Sequence, residues 1–356
     1  AIPADCKDPG RAGVITDGCL LDLTTVDGLN LDKPWWNQNL LSSCALGSDG
    51  AVYFAISDLS LTAFDLTWCL MFNESMMEDM NIDKPYDLVR DGKWTLDRLH
   101  EYTAKGANLN GDESFAFDAN GKCDYGFTSY NNVVAMALVG AGCHLTENGK
   151  DGVPSLSVEN DRFYEFCDKF ASLTKTEGEY IEANSGDMHY EKIFKAGRAL
   201  FDGAEIKASS VFRDFDDQFG ILPSPKLDEE QESYQSWINF LVPLFAIPAD
   251  CKDPGRAGVI IDAMSYMSTK DVLPIYYNVT VSQKGLRNED SIEMLGIIRD
   301  ARYFEPSLVY GWTTSFFSSL RGQLVSGDGN VASLIAANKD KIAENIASTM
   351  ELVKEH

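Results

Sequence analysis

The chain has 356 residues, more than one ordinary hydrophobic core accommodates, so we expect two domains. Hydrophobic residues make up 44% of the chain and aromatic residues 11%, which is ample for burial. The net charge of -25, from 30 basic and 55 acidic residues, argues against nucleic acid or an anionic membrane as partner, because both attract basic surfaces. No run of about 18 apolar residues is present, so no segment is predicted to span a membrane.

The first segment of the chain recurs later without a change. Residues 1–15 read AIPADCKDPGRAGVI, and residues 246–260 are the same. Solenoid repeats diverge and occur in longer series, so we interpret the first copy as an artefactual duplicate without a functional role. The second copy fits its surroundings. An apolar, strand-like run from Ile238 to Ile247 leads into it, and Asp253 and Pro254 supply the N-cap and first residue of a helix predicted to end at Ser268.

The stretch from Tyr53 to Asn73 has an apolar run at each end and polar residues between them. Asp58, Ser60, Thr62 and Asp65 would each need a partner in a buried strand, or would cost about 1–3 kcal/mol. The pattern therefore indicates a segment that crosses a solvent-filled cleft. Earlier in the chain, Trp35 and Trp36 are predicted to start a short helix.

The next loop, Asn108-Leu-Asn110-Gly-Asp112, carries oxygen ligands at alternate positions, with Asp118 close behind. Short loops of this kind wrap calcium, which makes Asn108, Asn110, Asp112 and Asp118 a weak set of candidate ligands. Glu113 stands where such loops need a turn glycine. A solvated turn is the other interpretation, and both stay open.

The middle and end of the chain alternate predicted strands and helices. Trp94-Thr95-Leu96 starts a helix with Thr95 as N-cap and Leu96, Leu99 and Tyr102 on one face. Further predicted elements are a strand-to-helix segment from Tyr125, helices over Asp161–Leu173 and Met188–Leu200, a strand that ends at Gly203, a strand from Phe219, helices over Glu289–Ala301 and Thr313–Leu324, and a long C-terminal helix from Val331.

Motifs of common enzyme classes are missing from the sequence, which has no GxSxG, HExxH, Walker loop or dinucleotide fingerprint. Four histidines in unrelated contexts are poor material for a triad or a metal site. The eight cysteines form no close pairs, and their apolar neighbours favour buried thiols over disulfides. We therefore expect no enzyme activity and no required cofactor.

Several of these segments, in this order, resemble the extracellular solute-binding proteins of ABC importers, family 1, the group that includes maltose-binding protein. The resemblance spans Thr16 to the C-terminus. It is carried by the crossing stretch at Tyr53–Asn73, the GKWTL helix start, the turn at Gly203, the FGILPSP strand, and the IPADCKDP junction of the second copy. It implies an α/β, type II periplasmic-binding-protein fold with two lobes, a hinge and a central cleft. That family carries a further βαβ segment ahead of Thr16, so we expect lobe 1 to be incomplete.

The resemblance also implies lobe boundaries. Residues 1–57 and 238–275 would form lobe 1 and residues 58–237 lobe 2. Residues 276–356 would return through the hinge and place C-terminal helices across both lobes.

The implied function is capture of a solute outside the cell and delivery to an ABC transporter permease, with a sugar or oligosaccharide as the favoured solute. Aromatic rings suit sugar C–H faces, and carboxylates and amides suit hydroxyls. The candidate ligand-binding residues are Asp58, Ser60, Tyr130, Asn131, Glu205, Trp237, Tyr310 and Trp312. The alternatives are a binding protein for a peptide or polyamine, and a secreted glycosidase. The implied location is the periplasm or the outer face of the cell membrane, with membrane contact only through a lipid anchor that this chain does not carry.

Overall fold

The computed structural model describes residues 15, 17–183, 186–214, 217–276 and 288–355. Residues 1–14 of the first copy lie outside the described part, so its interpretation as an artefactual duplicate stays a prediction. Ile15, the last residue of that copy, is buried.

The main sheet is formed by the middle of the chain. The nine strands of the described part are β1 (Trp68–Asn73), β2 (Tyr125–Tyr130), β3 (Thr146–Asn148), β4 (Pro154–Leu156), β5 (Glu179–Glu182), β6 (Ala199–Glu205), β7 (Phe219–Leu222), β8 (Ser236–Trp237) and β9 (Arg302–Tyr303). The main sheet has the order β5-β2-β6-β1-β7. Strand β2 is parallel to β5 and β6, whereas β1 is antiparallel to β6 and β7.

The central strands of this sheet are buried along their whole length because both faces of the sheet are covered. Every residue of β1, WCLMFN, is buried, as is every residue of β2 and β6. Gly126 lets the covering helix approach β2, since a Cβ there would lie 1.8 Å from the carbonyl oxygen of Thr103.

Thirteen α-helices lie in the described part of the chain, and several of them cover the sheet. They are α1 (Gln38–Ser43), α2 (Leu61–Asp65), α3 (Glu74–Asp79), α4 (Tyr86–Arg90), α5 (Leu96–Gly106), α6 (Val133–Gly140), α7 (Asp161–Leu173), α8 (His189–Lys195), α9 (Pro254–Met267), α10 (Glu289–Asp300), α11 (Pro306–Val309), α12 (Thr314–Val325) and α13 (Ala332–Glu355). None of the helices in the described ranges is long and apolar enough to cross a lipid bilayer.

Several predicted elements are confirmed. The Thr95 side chain caps α5 by accepting a hydrogen bond from the Arg98 N–H at 3.4 Å. The aromatic stripe of α7, which includes Phe163 and Phe170, is buried in the core. Asp253 caps α9 by accepting from the Arg256 N–H at 3.0 Å, with Pro254 as the first helical residue. Cysteines 44, 69, 123, 143 and 167 are buried thiols, as their neighbours indicated.

Three local predictions were wrong. The run from Ile238 to Ile247 forms only isolated bridges at Ile238 and Phe245, because Pro243 lacks the N–H that a continuous strand needs. Helix α1 begins after Asn37, whose side chain accepts from the Leu40 N–H, and not at the tryptophans. The helix predicted over Met188–Leu200 ends at Lys195, and β6 begins at Ala199.

Three chain segments lie side by side next to the main sheet. Thr67 bridges Ile238, and the Asn239 N–H donates to the Leu66 carbonyl at 3.0 Å. The Ile238 N–H in turn donates to the Tyr303 carbonyl at 2.9 Å. We call these three hydrogen-bonded segments, at residues 66–67, 238–239 and 303, the crossing segments.

Candidate functional site

Three strands of the main sheet bring functional side chains to one edge. Tyr130 is the last residue of β2, Glu205 is the last of β6, and Trp68 is the first of β1. Trp68 is the direct partner of Glu205 in the antiparallel register. Because β2 and β6 run parallel and β1 runs against them, these three residues meet beside the crossing segments.

The rings at this edge form a continuous aromatic group, which is buried in this structure. The Trp68 ring centroid lies 5.1 Å from that of Tyr130 and 5.5 Å from that of Trp237. Tyr130 is also 5.4 Å from Tyr190 of α8. We call these four rings, together with Glu205, the Glu205 cluster.

The Glu205 carboxylate is held by neutral donors. The Tyr130 hydroxyl and the Asn239 side-chain amide each donate to its Oε1 at 3.2 Å. Lys207 forms a longer ion pair with the same oxygen at 3.8 Å. Glu205 is only 5% exposed, so its orientation is fixed by these contacts.

Helix α12 contributes a cation to the same edge. Arg321 donates through Nη1 to the side-chain oxygen of Asn132, whose amide in turn donates to the Tyr130 hydroxyl at 3.4 Å. Burial lowers the pKa of Arg321, and the nearby Tyr130 opposes that effect. The guanidinium therefore extends the cluster towards α12.

Two buried donors at this edge have no acceptor among the described residues. They are Nε1 of Trp68 and Nε of Arg321. A buried donor without a partner costs about 1–3 kcal/mol, so native proteins rarely keep one without a use. Hydroxyl oxygens of a bound solute are suitable acceptors for both groups.

Further carboxyl groups lie close to the cluster. Burial raises the pKa of Asp202 well above the usual range, and the charges of Glu191 and Glu205 add to this effect. Burial likewise raises the pKa of Glu191. The site therefore offers one fixed carboxylate, one guanidinium and neutral donors beside four rings.

Of the residues predicted from sequence, Tyr130, Glu205 and Trp237 come together in this cluster. Asn131 lies next to Tyr130, but its side-chain amide donates to the Ala183 carbonyl. Its backbone N–H donates to the Glu182 carbonyl, which ties it to the end of β5. Asn131 is therefore adjacent to the cluster and its polar groups are already engaged.

Asp58 and Ser60 lie elsewhere, beside α9 and the residues that follow it. Thr269 donates to the Asp58 carboxylate at 2.8 Å, and Asp58 lines a polar cavity of about 420 Å³. Burial raises the pKa of Asp58, although the Thr269 hydrogen bond and the charges of Arg302 and Arg299 oppose this. Ser60 precedes α2 without capping it through its side chain.

Tyr310 and Trp312 form a separate, buried stack. Their centroids are 4.7 Å apart with nearly parallel planes. The Tyr310 hydroxyl donates to the Cys44 carbonyl at 2.6 Å, and Trp312 Nε1 donates to the Thr349 hydroxyl at 2.9 Å. Tyr310 and Trp312 therefore make contacts that are typical of residues in a protein core. No described contact joins Asp58 or Trp312 to Glu205, and the role of Asp58, Ser60, Tyr310 and Trp312 in solute binding stays a prediction.

The candidate calcium loop is organised by its own hydrogen bonds. The Asn108 side chain accepts from the Asn110 N–H at 3.0 Å, and the Asn110 amide donates to Asp124 at 2.8 Å. Asp112 accepts from the Cys123 thiol, whereas Asp118 accepts from the Asn120 N–H. Within the described ranges, no group of three or more His, Cys, Asp or Glu side chains could hold a metal. The calcium site stays a prediction, which a rise in Tm with added Ca²⁺ would support.

A larger cavity, of about 840 Å³, opens between α1 and α10. Ser42, Tyr234, Ile297 and Tyr303 are among its lining residues, and it includes no member of the Glu205 cluster. The 840 Å³ cavity and the Glu205 cluster are therefore separate places in the structure.

Sequence reasoning missed Trp68, Asn132, Asn239 and Arg321. Trp68 stands inside the crossing stretch, directly after Thr67, where the apolar run resumes. Arg321 is the one charged residue of α12, TSFFSSLRGQLV, and a lone cation on such a helix is a recognisable signal. Asn132 and Asn239 carry no comparable signal.

No protein-family model and no curated protein matches the sequence. Solved structures do match. An ABC substrate-binding protein from Listeria monocytogenes, in complex with cycloalternan, has a TM-score of 0.56 at 13% identity, with 95% of this chain and 83% of that chain covered. The cyclic alpha-maltosyl-1,6-maltose binding protein from Arthrobacter globiformis has a TM-score of 0.58 at 14% identity, with 96% of this chain and 83% of that chain covered.

A family 1 extracellular solute-binding protein from Bifidobacterium longum subsp. infantis gives a TM-score of 0.57 at 14% identity, with 94% of this chain and 82% of that chain covered. These matches do not test the incompleteness of lobe 1 or the lobe boundaries, which stay predictions. Likeness at such identities shows the fold. The chain has the α/β, two-lobed, type II periplasmic-binding-protein fold of the ABC importer solute-binding proteins, as its sequence predicted.

Proposed function

We propose that this protein captures a sugar or oligosaccharide at the Glu205 cluster and delivers it to the permease of an ABC transporter outside the cell. The observation that carries the proposal is the set of two buried, unpartnered N–H donors, on Trp68 and Arg321, beside a fixed carboxylate and four rings. Rings offer flat apolar faces to sugar C–H groups, while Glu205 accepts and Arg321 donates hydrogen bonds to hydroxyls.

The matched structures support this choice of solute. Their names or bound ligands include cycloalternan, maltotetraose and tagatose. Capture requires no covalent step, since a solute that contacts both lobes only in the closed form stabilises that form. A polyamine is disfavoured, because Arg321 would place a positive charge beside it.

The proposal is tested by titrating the protein with maltotetraose, cycloalternan and tagatose, using thermal shift to find a ligand and calorimetry to measure its Kd. Glu205→Gln removes the charge while it keeps the shape. We expect the Kd for the ligand to rise about ten-fold, because a charge-assisted hydrogen bond contributes roughly 1.5–3 kcal/mol. The matched control is Glu147→Gln on β3, which is exposed and outside the cluster.

Two results would count against the proposal. If Glu205→Gln and the parent bind the same ligand equally well, the site lies elsewhere. If new reducing ends appear on incubation with an oligosaccharide, the protein is a glycosidase and not a binding protein.

A further inference from the structure

The guanidinium of Arg321 has no carboxylate partner among the described residues. Its hydrogen bond there runs from Nη1 to the side-chain oxygen of Asn132. Nε is buried without an acceptor, and Nη2 has no partner within the described ranges either. These two nitrogens form one edge of the guanidinium plane, where their N–H bonds point the same way. Arg321 therefore keeps a pair of parallel donors unused.

Other described arginines show what such a pair of donors binds in this chain. Arg90 directs the same edge at the Glu293 carboxylate, from Nε at 3.0 Å and from Nη2 at 2.7 Å. Arg198 donates to three main-chain carbonyls. The chain offers carboxylates in excess, with 55 acidic and 30 basic residues, yet none in the described part pairs with Arg321. The open edge is thus specific to this position.

The surroundings of Arg321 keep its charge from full hydration. The side chain is half-buried on α12, and its guanidinium lies over the ring of the buried Phe317, 5.1 Å from the centroid. Arg321 is also the one charged residue of that helix. A partly desolvated charge is costly unless an opposite charge compensates it. The position therefore favours an anionic group of a ligand over a neutral one.

Neutral groups separate Arg321 from the Glu205 carboxylate. Nη1 binds Asn132, the Asn132 amide donates to the Tyr130 hydroxyl at 3.4 Å, and that hydroxyl donates to Glu205 at 3.2 Å. Lys207 lies 3.8 Å from the same Glu205 oxygen and offsets part of its charge. The unused edge is opposite Nη1 on the guanidinium plane. An anion bound there would lie on the side away from Asn132, and Glu205 remains an acceptor for hydroxyls.

We propose that the solute captured at the Glu205 cluster is an acidic sugar, whose carboxylate binds the Nε–Nη2 edge of Arg321 while its hydroxyls bind Glu205 and Nε1 of Trp68. The inference rests on the proposed function and narrows its solute class to sugar acids such as uronates. A carboxylate has two oxygens that match the two parallel donors, whereas a hydroxyl has one oxygen. A phosphate ester is a poorer occupant, because it carries about two negative charges. Among the described residues of the cluster, only Arg321 is a cation without an acidic partner.

The experiment compares solutes that differ at the acid group. Calorimetry on the full chain measures the Kd of D-glucuronate and D-galacturonate against that of D-glucose and D-galactose. D-glucuronamide keeps the shape of glucuronate without its charge. We expect a uronate to bind about ten-fold or more tightly than its neutral counterpart, and the amide to bind like the neutral sugar. This comparison varies the solute, so it does not depend on how a variant folds.

Variants of Arg321 test where the carboxylate binds. Arg321→Gln removes the charge and should remove the difference in Kd between uronate and neutral sugar. Arg321→Lys keeps the charge without the paired donors, so it should retain only part of that difference. The matched control is Arg98→Gln on α5, which removes the same charge from a surface pair with Glu101 and should bind every solute like the parent.

Four outcomes overturn the proposal. The first is a neutral sugar that binds as tightly as its uronate, which leaves the proposed function standing. The second is a preference for uronate that Arg321→Gln leaves unchanged, which places the carboxylate elsewhere. The third is binding of maltotetraose without binding of either uronate. The fourth is a protein that binds none of these sugars, nor cycloalternan or tagatose, in which case the proposed function falls as well. Should Arg321→Gln fail to fold, Arg321→Lys and the amide decide the question.

Discussion

The pKa of the buried Asp202 carboxyl differs from that of an aspartate in water. Asp202 is fully buried in β6, accepts a hydrogen bond from the Thr128 hydroxyl at 2.9 Å, and its second oxygen has no partner among the described residues. Burial is the main reason why its pKa is raised well above the usual range. A carboxyl with a raised folded-state pKa destabilises the fold as the pH rises above its unfolded pKa of about 3.9.

Asp202→Asn removes that cost and should stabilise the protein by about 1 kcal/mol at neutral pH. The gain should grow between pH 5 and pH 8, because the unfolded carboxyl is ionised over that range. Denaturant unfolding at the two pH values measures it. Asp340→Asn, at an exposed position of α13, is the control. A gain that is the same at both pH values would show that ionisation of Asp202 does not contribute.

Substitution of Trp312 tests whether an aromatic residue that was predicted to line the cleft instead belongs to the core. Its ring is 2% exposed, stacks on Tyr310 and donates to Thr349. Trp312→Ala should lower the free energy of unfolding by about 3–5 kcal/mol, as large-to-small core substitutions do. Phe117→Ala, at a ring that is 39% exposed, should cost less. A stable Trp312→Ala variant with weaker sugar binding would instead support the prediction from sequence.

At the scale of elements, Asp262 fastens α9 to the loop before α1. The indole N–H groups of Trp35 and Trp36 donate to its carboxylate at 2.9 and 3.0 Å. The side-chain amide of Asn30 donates to the same carboxylate at 2.8 Å. Burial alone would raise its pKa, but the hydrogen bonds from Asn30, Trp35 and Trp36 outweigh that effect and lower it. The stability that Asp262 contributes is thus present above pH about 4 and is lost as the pH falls through the folded-state pKa.

Asp262→Ala should cost about 1.5–3 kcal/mol at pH 7, because the buried indole of Trp36 and the half-buried indole of Trp35 lose their acceptor. The same variant should differ less from the parent at pH 3, where the parent carboxyl is becoming protonated. Thermal unfolding at both pH values checks this. A difference that grows on acidification would contradict the assignment.

The elements that sequence predicted well are those with local signals. Thr95 and Asp253 are residue types that favour helix N-caps, and the apolar residues in β1 and β6 indicate buried strands. Contacts between residues that are distant in sequence have no such local signal. Nothing in the sequence shows that Trp312 meets Thr349, or that Arg321 reaches Asn132, because those contacts depend on how distant helices pack. Of the eight candidate residues, Tyr130, Glu205 and Trp237 lie together in the Glu205 cluster, and their role in solute binding stays a prediction.

At the scale of the whole molecule, residues 17–57 and the middle of the chain differ in their backbone hydrogen bonding. Residues 17–57 have one short helix, α1, a 3-10 turn and isolated bridges, whereas the middle of the chain holds a five-stranded sheet. Amides with few cooperative partners open at lower cost. This contrast agrees with the expectation, still untested, that lobe 1 is incomplete.

Hydrogen exchange should therefore be faster in residues 17–50 than in α5 and α7. Mass spectrometry of peptides from the intact protein provides the comparison, with α13 as an internal reference. Equal protection in both regions would mean that another part of the chain, or a second copy, completes lobe 1.

The contact between Trp68 and Trp237 has an optical consequence. Trp68 is the first residue of β1 and Trp237 is the last residue of β8. Their ring centroids are 5.5 Å apart and their planes are inclined by 40°. Two chromophores this close couple electronically, and the near-ultraviolet signal of such a pair depends on their mutual angle. Any change in the mutual angle of the two segments that carry these rings should therefore alter the near-ultraviolet signal, so the pair reports such a change without an added label.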